Sequence, residues 1–304
     1  MKRISGRVSL ILLVLLLLFI PRVEAQYEDD LFYLGITYFP QVGLDHPEGS
    51  IFPEDLEIGL TTFEINVFLP TLFENTETRQ FHKLAYNLRN LSFANWDESS
   101  GLYKPADFHG TEYRFGITHK MSDDWEAMMV LSPGIFSDFD GKIGRDDVRL
   151  QALFTMNRHI DPDITFGFGL AYTTLFGREL LLPVLGYNSS TESGVNIDVL
   201  LPAMAEVTYN ISERVEVGAI VSIKGNAYNV EGTSDTPATQ VDEIEYSTGT
   251  FGPHARIHIG GPLYLELNGG VTFLRQFTLN KEGNKVNEFE MDRSYFFRTT
   301  LRIW

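Results

Sequence analysis

Seven histidines, His46, His82, His109, His119, His159, His254 and His258, are the first residues whose chemistry depends on spacing. None forms a His-Glu-x-x-His pair, the spacing that sets two imidazoles on one helix face for zinc. His254 and His258 flank Arg256, and on an extended chain all three share a face. Hydrogen bonding suits such a group better than metal ligation. No Gly-x-Ser-x-Gly elbow, Gly-x-Gly-x-x-Gly turn or P-loop occurs. A lipid hydrolase on a barrel would gather Ser, His and a polar orienter from several strands; no local spacing points to one. Asp138-Phe-Asp140-Gly141 with Asp146-Asp147 has the carboxylate density of a cation loop but lacks the terminal Glu of an EF-hand. It reads as a solvated acidic loop. The sequence therefore assigns no catalytic, cofactor-binding or metal-binding residue, and no cofactor.

Composition narrows the classes further. The 304 residues contain no cysteine, which excludes a disulfide framework, a zinc-thiolate site, an iron–sulfur cluster and a lipoprotein anchor. The formal net charge is −17, from 24 Lys and Arg against 41 Asp and Glu. So acidic a chain is a poor partner for nucleic acid, whose phosphates need clustered cations. Aromatic residues make up 13%, too many for a disordered chain.

Residues 1–25 read as an export signal. Lys2, Arg3 and Arg7 precede a run from Val8 to Ile20 that is apolar except for Ser9, and Val23-Glu24-Ala25 places small residues at −3 and −1 of a cleavage site before Gln26. The run is shorter than the roughly 20 residues of a membrane anchor. The segment holds Lys2, Arg3, Arg7 and Arg22 against Glu24, so its removal takes the net charge from −17 to −20. The domain expected after it covers 26–304.

From about residue 31 apolar side chains alternate with polar ones, the period of a β-strand. Val148, Leu150, Ala152, Phe154 and Met156 share one face, and Arg149, Gln151, Leu153, Thr155 and Asn157 the other. The same pattern predicts twelve strands, near 31–39, 55–69, 80–93, 109–119, 124–135, 146–158, 163–175, 195–210, 213–228, 242–259, 262–278 and 288–304. Most reach the 9–11 residues a tilted membrane strand needs. Tight turns at Lys120–Asp123, His159–Pro162, Ile211–Ser212 and Gly260–Gly261 alternate with longer links at 40–54, 94–108, 136–145, 176–194, 229–241 and 279–287. That alternation marks an outer-membrane barrel. Pro202 falls inside the eighth strand, where it removes a ladder hydrogen bond; a bulge or a later strand start is expected there. Tyr113, Trp125, Tyr172, Tyr209, Tyr295 and Trp304 lie near strand ends and read as two interfacial girdles. Trp304, however, shares its face with Arg302, Thr300 and Arg298.

If the apolar faces meet lipid, the opposite faces line a lumen. Its basic residues are Lys83, Arg89, Arg114, Arg149, Lys224, Arg256, Arg298 and Arg302, and its acidic ones Glu64, Glu112, Glu126, Asp198, Glu206, Glu216 and Glu266. Near-equal numbers suit mutual pairing that plugs a small barrel, and they equally suit a narrow pore selecting polar solutes. Gly116, Gly134, Gly167, Gly169, Gly218 and Gly270 face the same way, leaving room for water or relieving crowding where strands bend.

Three stretches, Ser132–Asp138, Leu182–Tyr187 and Leu201–Tyr209, resemble a family of uncharacterised outer-membrane β-barrel proteins, a domain of unknown function, over most of 55–304. The resemblance implies fold and location and carries over no functional residue.

The expectation is an all-β transmembrane antiparallel barrel of about twelve strands in the cell outer membrane of a Gram-negative bacterium, after a cleaved signal peptide. It would be porin-like, monomeric and not an enzyme. Its partners would be outer-membrane lipid and, during biogenesis, the barrel-assembly machinery. It would act as a narrow passive channel for small polar solutes or as a plugged scaffold. A barrel-type lipid-modifying hydrolase and a soluble periplasmic β-sandwich binding module are the competing readings. Whether Leu180–Tyr187 folds inward as a plug is open at this level.

Overall fold

The structure, a computed structural model, describes residues 31–45, 55–69, 77–96, 104, 107–231 and 241–304. The expected signal segment 1–25 and His46 lie outside the described residues. The strands are β1 (Phe32–Asp45), β2 (Glu57–Leu69), β3 (Thr78–Ala94), β4 (Asp107–Lys120), β5 (Trp125–Ser137), β6 (Val148–Asp161), β7 (Ile164–Thr173), β8 (Leu180–Ser190), β9 (Val195–Leu201), β10 (Met204–Ser212), β11 (Val215–Asn229), β12 (Glu243–Gly260), β13 (Leu263–Lys281), β14 (Asn284–Met291) and β15 (Tyr295–Ile303).

From β1 to β14 each strand pairs antiparallel with the next, and β15 returns to β1, with Phe32 opposite Ile303 and Tyr38 opposite Phe297. The sheet is a closed barrel with no free sandwich edges. β14 and β15 both pair with β13 and both meet β1. They are one strand interrupted near Asp292–Ser294, so the fifteen segments make a fourteen-stranded wall. The Phe32–Ile303 end of the seam lies at the rim of tight turns, the turn end; the opposite rim is the loop end.

Two strands beyond the expected twelve come from one region. Residues 180–190, expected as part of a long link, form β8 in the wall. Leu181 and Leu185 point outward and Val184 inward, so the segment is wall and not an inward plug. Both of its faces are apolar, which hides the period of two. Pro183 pairs only with Leu170 of β7, because β9 reaches no higher on β8 than Leu185; its missing N–H faces an unpaired edge, where proline is tolerated. The second correction is at Pro202. The expected single strand 195–210 is two strands, β9 and β10, joined by a tight turn at Pro202-Ala203 that the Ala203 N–H to Leu200 C=O bond (2.8 Å) closes. Proline cannot donate to a ladder, so it marks the turn.

The wall alternates as a half-buried sheet should. Tyr33, Thr37 and Phe39 of β1 are buried inside, while Ile36 and Tyr38 point out. Val207, Tyr209, Phe166, Phe168, Leu170, Phe251, Val271 and Phe297 are outward and exposed. At Gly218 and Gly270, a Cβ would run into the carbonyl of Val207 and of Phe251 on the neighbouring strands. These inward glycines admit close strand approach where the sheet bends; they do not open space for water.

At the loop end one strand pair crosses the barrel. β10 stops opposite Ser222, but β11 continues to Asn229, paired with β12 throughout. There Asn229 meets Ser137 of β5 in a parallel bridge, and the Asp138 N–H donates to the Asn229 carbonyl at 3.2 Å. β5 belongs to a distant part of the wall, so this extension crosses the mouth. Tyr228 is fully buried, stacked on Phe108 at 5.1 Å and edge-on to Phe136 at 6.0 Å, and its hydroxyl donates to Asn87 Oδ1 at 2.9 Å. Around it Leu56, Ile58, Leu60, Ile244, Phe277 and Phe289 fill the barrel's upper interior as a hydrophobic core. Each such side chain gains roughly 1.5–3 kcal/mol on burial.

Candidate functional site: the charged lumen

Below that core the interior is polar, and its charges form two main groups. Near the turn end, Glu216, Arg256 and Glu266 are direct cross-strand neighbours on β11, β12 and β13. Arg256 Nη1 donates to Glu216 Oε2 at 2.9 Å, and its Nε to Glu266 Oε1 at 2.8 Å. Arg302 Nε lies 2.9 Å from the other oxygen of Glu266, and His254 Nδ1 lies 2.7 Å from Glu206 Oε1. Thr208 donates to the remaining oxygen of Glu216. Two arginines and the His254 ring engage the three carboxylates, as buried carboxylates require partners.

The second group sits at the waist. Glu64 on β2 accepts Lys224 Nζ on both oxygens, at 3.0 and 3.1 Å, and also Arg298 and the Tyr33 hydroxyl (3.0 Å). Lys224 belongs to β11, five strands away around the wall, so the pair spans the lumen. A small cavity of about 30 Å³ lies against this group, with Thr37, Thr62, Thr248 and Thr250 in its lining. Leu60, Phe39 and Phe296 of the apolar core roof it.

The other expected lumen charges are placed as follows. Arg89 is buried, its guanidinium over the rings of Tyr228 (5.4 Å) and Tyr246 (5.3 Å). Glu112 pairs with Arg114 and accepts Gln151 Nε2 at 2.9 Å. Arg149 reaches Glu243 at 2.5 Å. Lys83 stands opposite Arg114 in the β3–β4 register, Glu126 opposite Lys120 in β4–β5, and Asp198 opposite Glu206 in β9–β10.

Sequence reasoning missed Arg275. Strict alternation along β13 turns Leu274 inward and Arg275 outward. A bulge opposite Ser247 and Gly249, with Leu274 at φ +51°, reverses them: Leu274 is 58% exposed and Arg275 2%. The Arg275 guanidinium lies over Phe39 at 5.6 Å. Period two carries no signal for an extra residue on one strand. Trp304 also differs from the girdle expected of it. Its ring lies 5.1 Å from Tyr264 and 5.6 Å from the Arg256 guanidinium, on the lumen side.

The histidines are dispersed. His254 turns to Glu206, whereas His258 contacts the Gly261 carbonyl at 2.7 Å and stacks on Tyr264, so the two do not act on one ligand. Among the described residues no three His, Asp or Glu side chains are grouped to hold a metal ion. In the acidic loop, Asp147 accepts the Gly144 N–H at 2.6 Å and Asn229 Nδ2 at 3.0 Å, and Asp138 accepts the Asp140 N–H at 3.3 Å. Asp138 caps its own loop, and Asp147 also ties the loop to the end of β11.

A family model described as a domain of unknown function (DUF6268) matches residues 22–303. The chain belongs to that family. No curated protein matches it in sequence. Among solved structures, it is similar to an outer membrane channel from Pseudomonas putida F1, at 10% identity over 94% of this chain and 100% of that one, with a TM-score of 0.43. The translocator domain of autotransporter NalP from Neisseria meningitidis is similar at 12% identity over 92% and 90%, with a TM-score of 0.40. LpxR from Salmonella typhimurium is similar at 6% identity over 90% and 99%, with a TM-score of 0.36. In this DUF6268 chain the polar groups inside the barrel are the candidate site.

Proposed function

We propose that the chain is a monomeric outer-membrane β-barrel whose lumen is closed, a plugged scaffold without catalytic activity. Its outward apolar face is the surface a barrel offers to lipid. The observation that carries the closed lumen is the bridge from Asn229 to Ser137, which holds the end of β11 across the mouth above a packed apolar core. The Lys224 to Glu64 ion pair crosses the lumen lower down, and Arg149 to Glu243 spans the mouth beside the bridge; both occupy space a solute would need. Purified protein in a planar bilayer is expected to show no current above the lipid background. Discrete, reproducible conductance steps would overturn the closed reading. Outer-membrane fractionation with heat-modifiable gel migration tests the location; recovery as a soluble periplasmic protein would refute it.

A further inference from the structure

Charge is balanced unevenly along the lumen. In the turn-end cluster three carboxylates, Glu206, Glu216 and Glu266, meet Arg256, Arg302 and His254. At the waist the small cavity is lined by Arg89, Lys224 and Arg298 against Glu64 alone. Glu64 is fully engaged, with Lys224 on both of its oxygens and Arg298 and Tyr33 beside it. Three donors remain buried without a hydrogen-bond partner: Arg89 Nη1, Arg298 Nε and the Tyr246 hydroxyl. Arg89 itself is 8% exposed. A buried cation without a counter-charge is costly, and so is a buried donor without an acceptor.

We propose that this cavity binds one small inorganic anion of halide size, held by Arg89, Lys224 and Arg298. The space is about 30 Å³, room for a small inorganic anion in place of water. The anion would be the counter-charge the waist lacks, tying β3, β11 and β15 together across the lumen. The site does not depend on the lumen being closed.

The test uses the full mature chain in detergent. Crystals are soaked in bromide and measured at the bromine absorption edge. In parallel the thermal midpoint is followed as chloride replaces gluconate at constant ionic strength. The expected map has an anomalous peak in the cavity next to Arg89 Nη1. Once chloride exceeds its dissociation constant, the unfolding constant should fall about tenfold for each tenfold rise in free chloride. Arg89→Gln should lose that dependence, and Glu64→Gln should keep it. Density without anomalous signal at the cavity, or a wild-type midpoint indifferent to chloride, overturns the proposal. If Arg89→Gln does not fold, the wild-type bromide map decides alone. A conducting bilayer recording would refute the closed lumen and leave this result untouched.

Discussion

Lys224 and Glu64 are 160 residues apart in sequence and five strands apart in the wall, yet the lysine Nζ lies 3.0 Å from the carboxylate. The contact exists only because the sheet closes. Glu64→Gln would leave Lys224 and Arg298 without their carboxylate, and breaking one side of such a group costs about 3 kcal/mol. Replacing Glu64, Lys224 and Arg298 together by apolar residues of similar volume should recover most of that loss. Urea unfolding monitored by tryptophan fluorescence would show it. Equal destabilisation by the single and the triple change would contradict the pairing.

Tyr228 pins the β11–β12 extension to β4 and β5. Tyr228→Phe removes one hydrogen bond to Asn87, worth about 1 kcal/mol. Tyr228→Ala leaves a cavity in the loop-end core and should cost about 3–5 kcal/mol. The alanine variant should also pass current in a planar bilayer where the wild type passes none. A silent alanine variant would mean that the ion pairs below seal the barrel by themselves.

Asp147 lies in the link between β5 and β6, where burial opposes its charge. The Gly144 N–H, the Asn229 amide, the Ser137 hydroxyl and the nearby Arg149 outweigh that effect and hold its carboxyl below the ordinary range. A depressed folded value means the stabilisation is complete above the unfolded value of about 3.9 and is lost as the pH falls through the folded one. Asp147→Asn should therefore be less stable than wild type near neutrality, with the gap closing in strong acid. Urea midpoints across the pH range would show this, and a gap that stays constant into strong acid would contradict it.

Val207, half exposed near the middle of β10, faces outward. Val207→Arg should cost about 2–4 kcal/mol of folding in lipid, the value for arginine near the bilayer midplane. Asp163→Arg, in a turn, should stay within about 0.5 kcal/mol. Folding yield into vesicles reads both. Equal tolerance of the two would place the apolar belt elsewhere.

Period two made most of the wall legible in the sequence, because one face meets apolar surroundings and the other a polar interior. The inward register of Glu216, Arg256 and Glu266 follows from it directly. It failed where local chemistry departs from alternation. β8 is apolar on both faces and carries Pro183 on an unpaired edge. Pro202 splits the expected strand 195–210 into β9 and β10, and the strand start after the proline, one of its two expected outcomes, is met at Met204. Arg275 is brought inward by a bulge at Leu274 that no pattern announces. The partners across the lumen were not legible, since the pairing of Glu64 with Lys224 depends on strand number and stagger, which are properties of the closed cylinder.

The seam has a kinetic meaning. Most ladders join neighbouring strands and can form as hairpins, but Phe32–Tyr38 must find Phe297–Ile303 at the far end of the chain. Contacts of such sequence separation form slowly. Closure is therefore the committing step of folding. Until it happens the chain carries two bare strand edges, each a template for pairing with another molecule. The interval before closure is when the chain is most exposed to aggregation, and the last strand is the element that ends it.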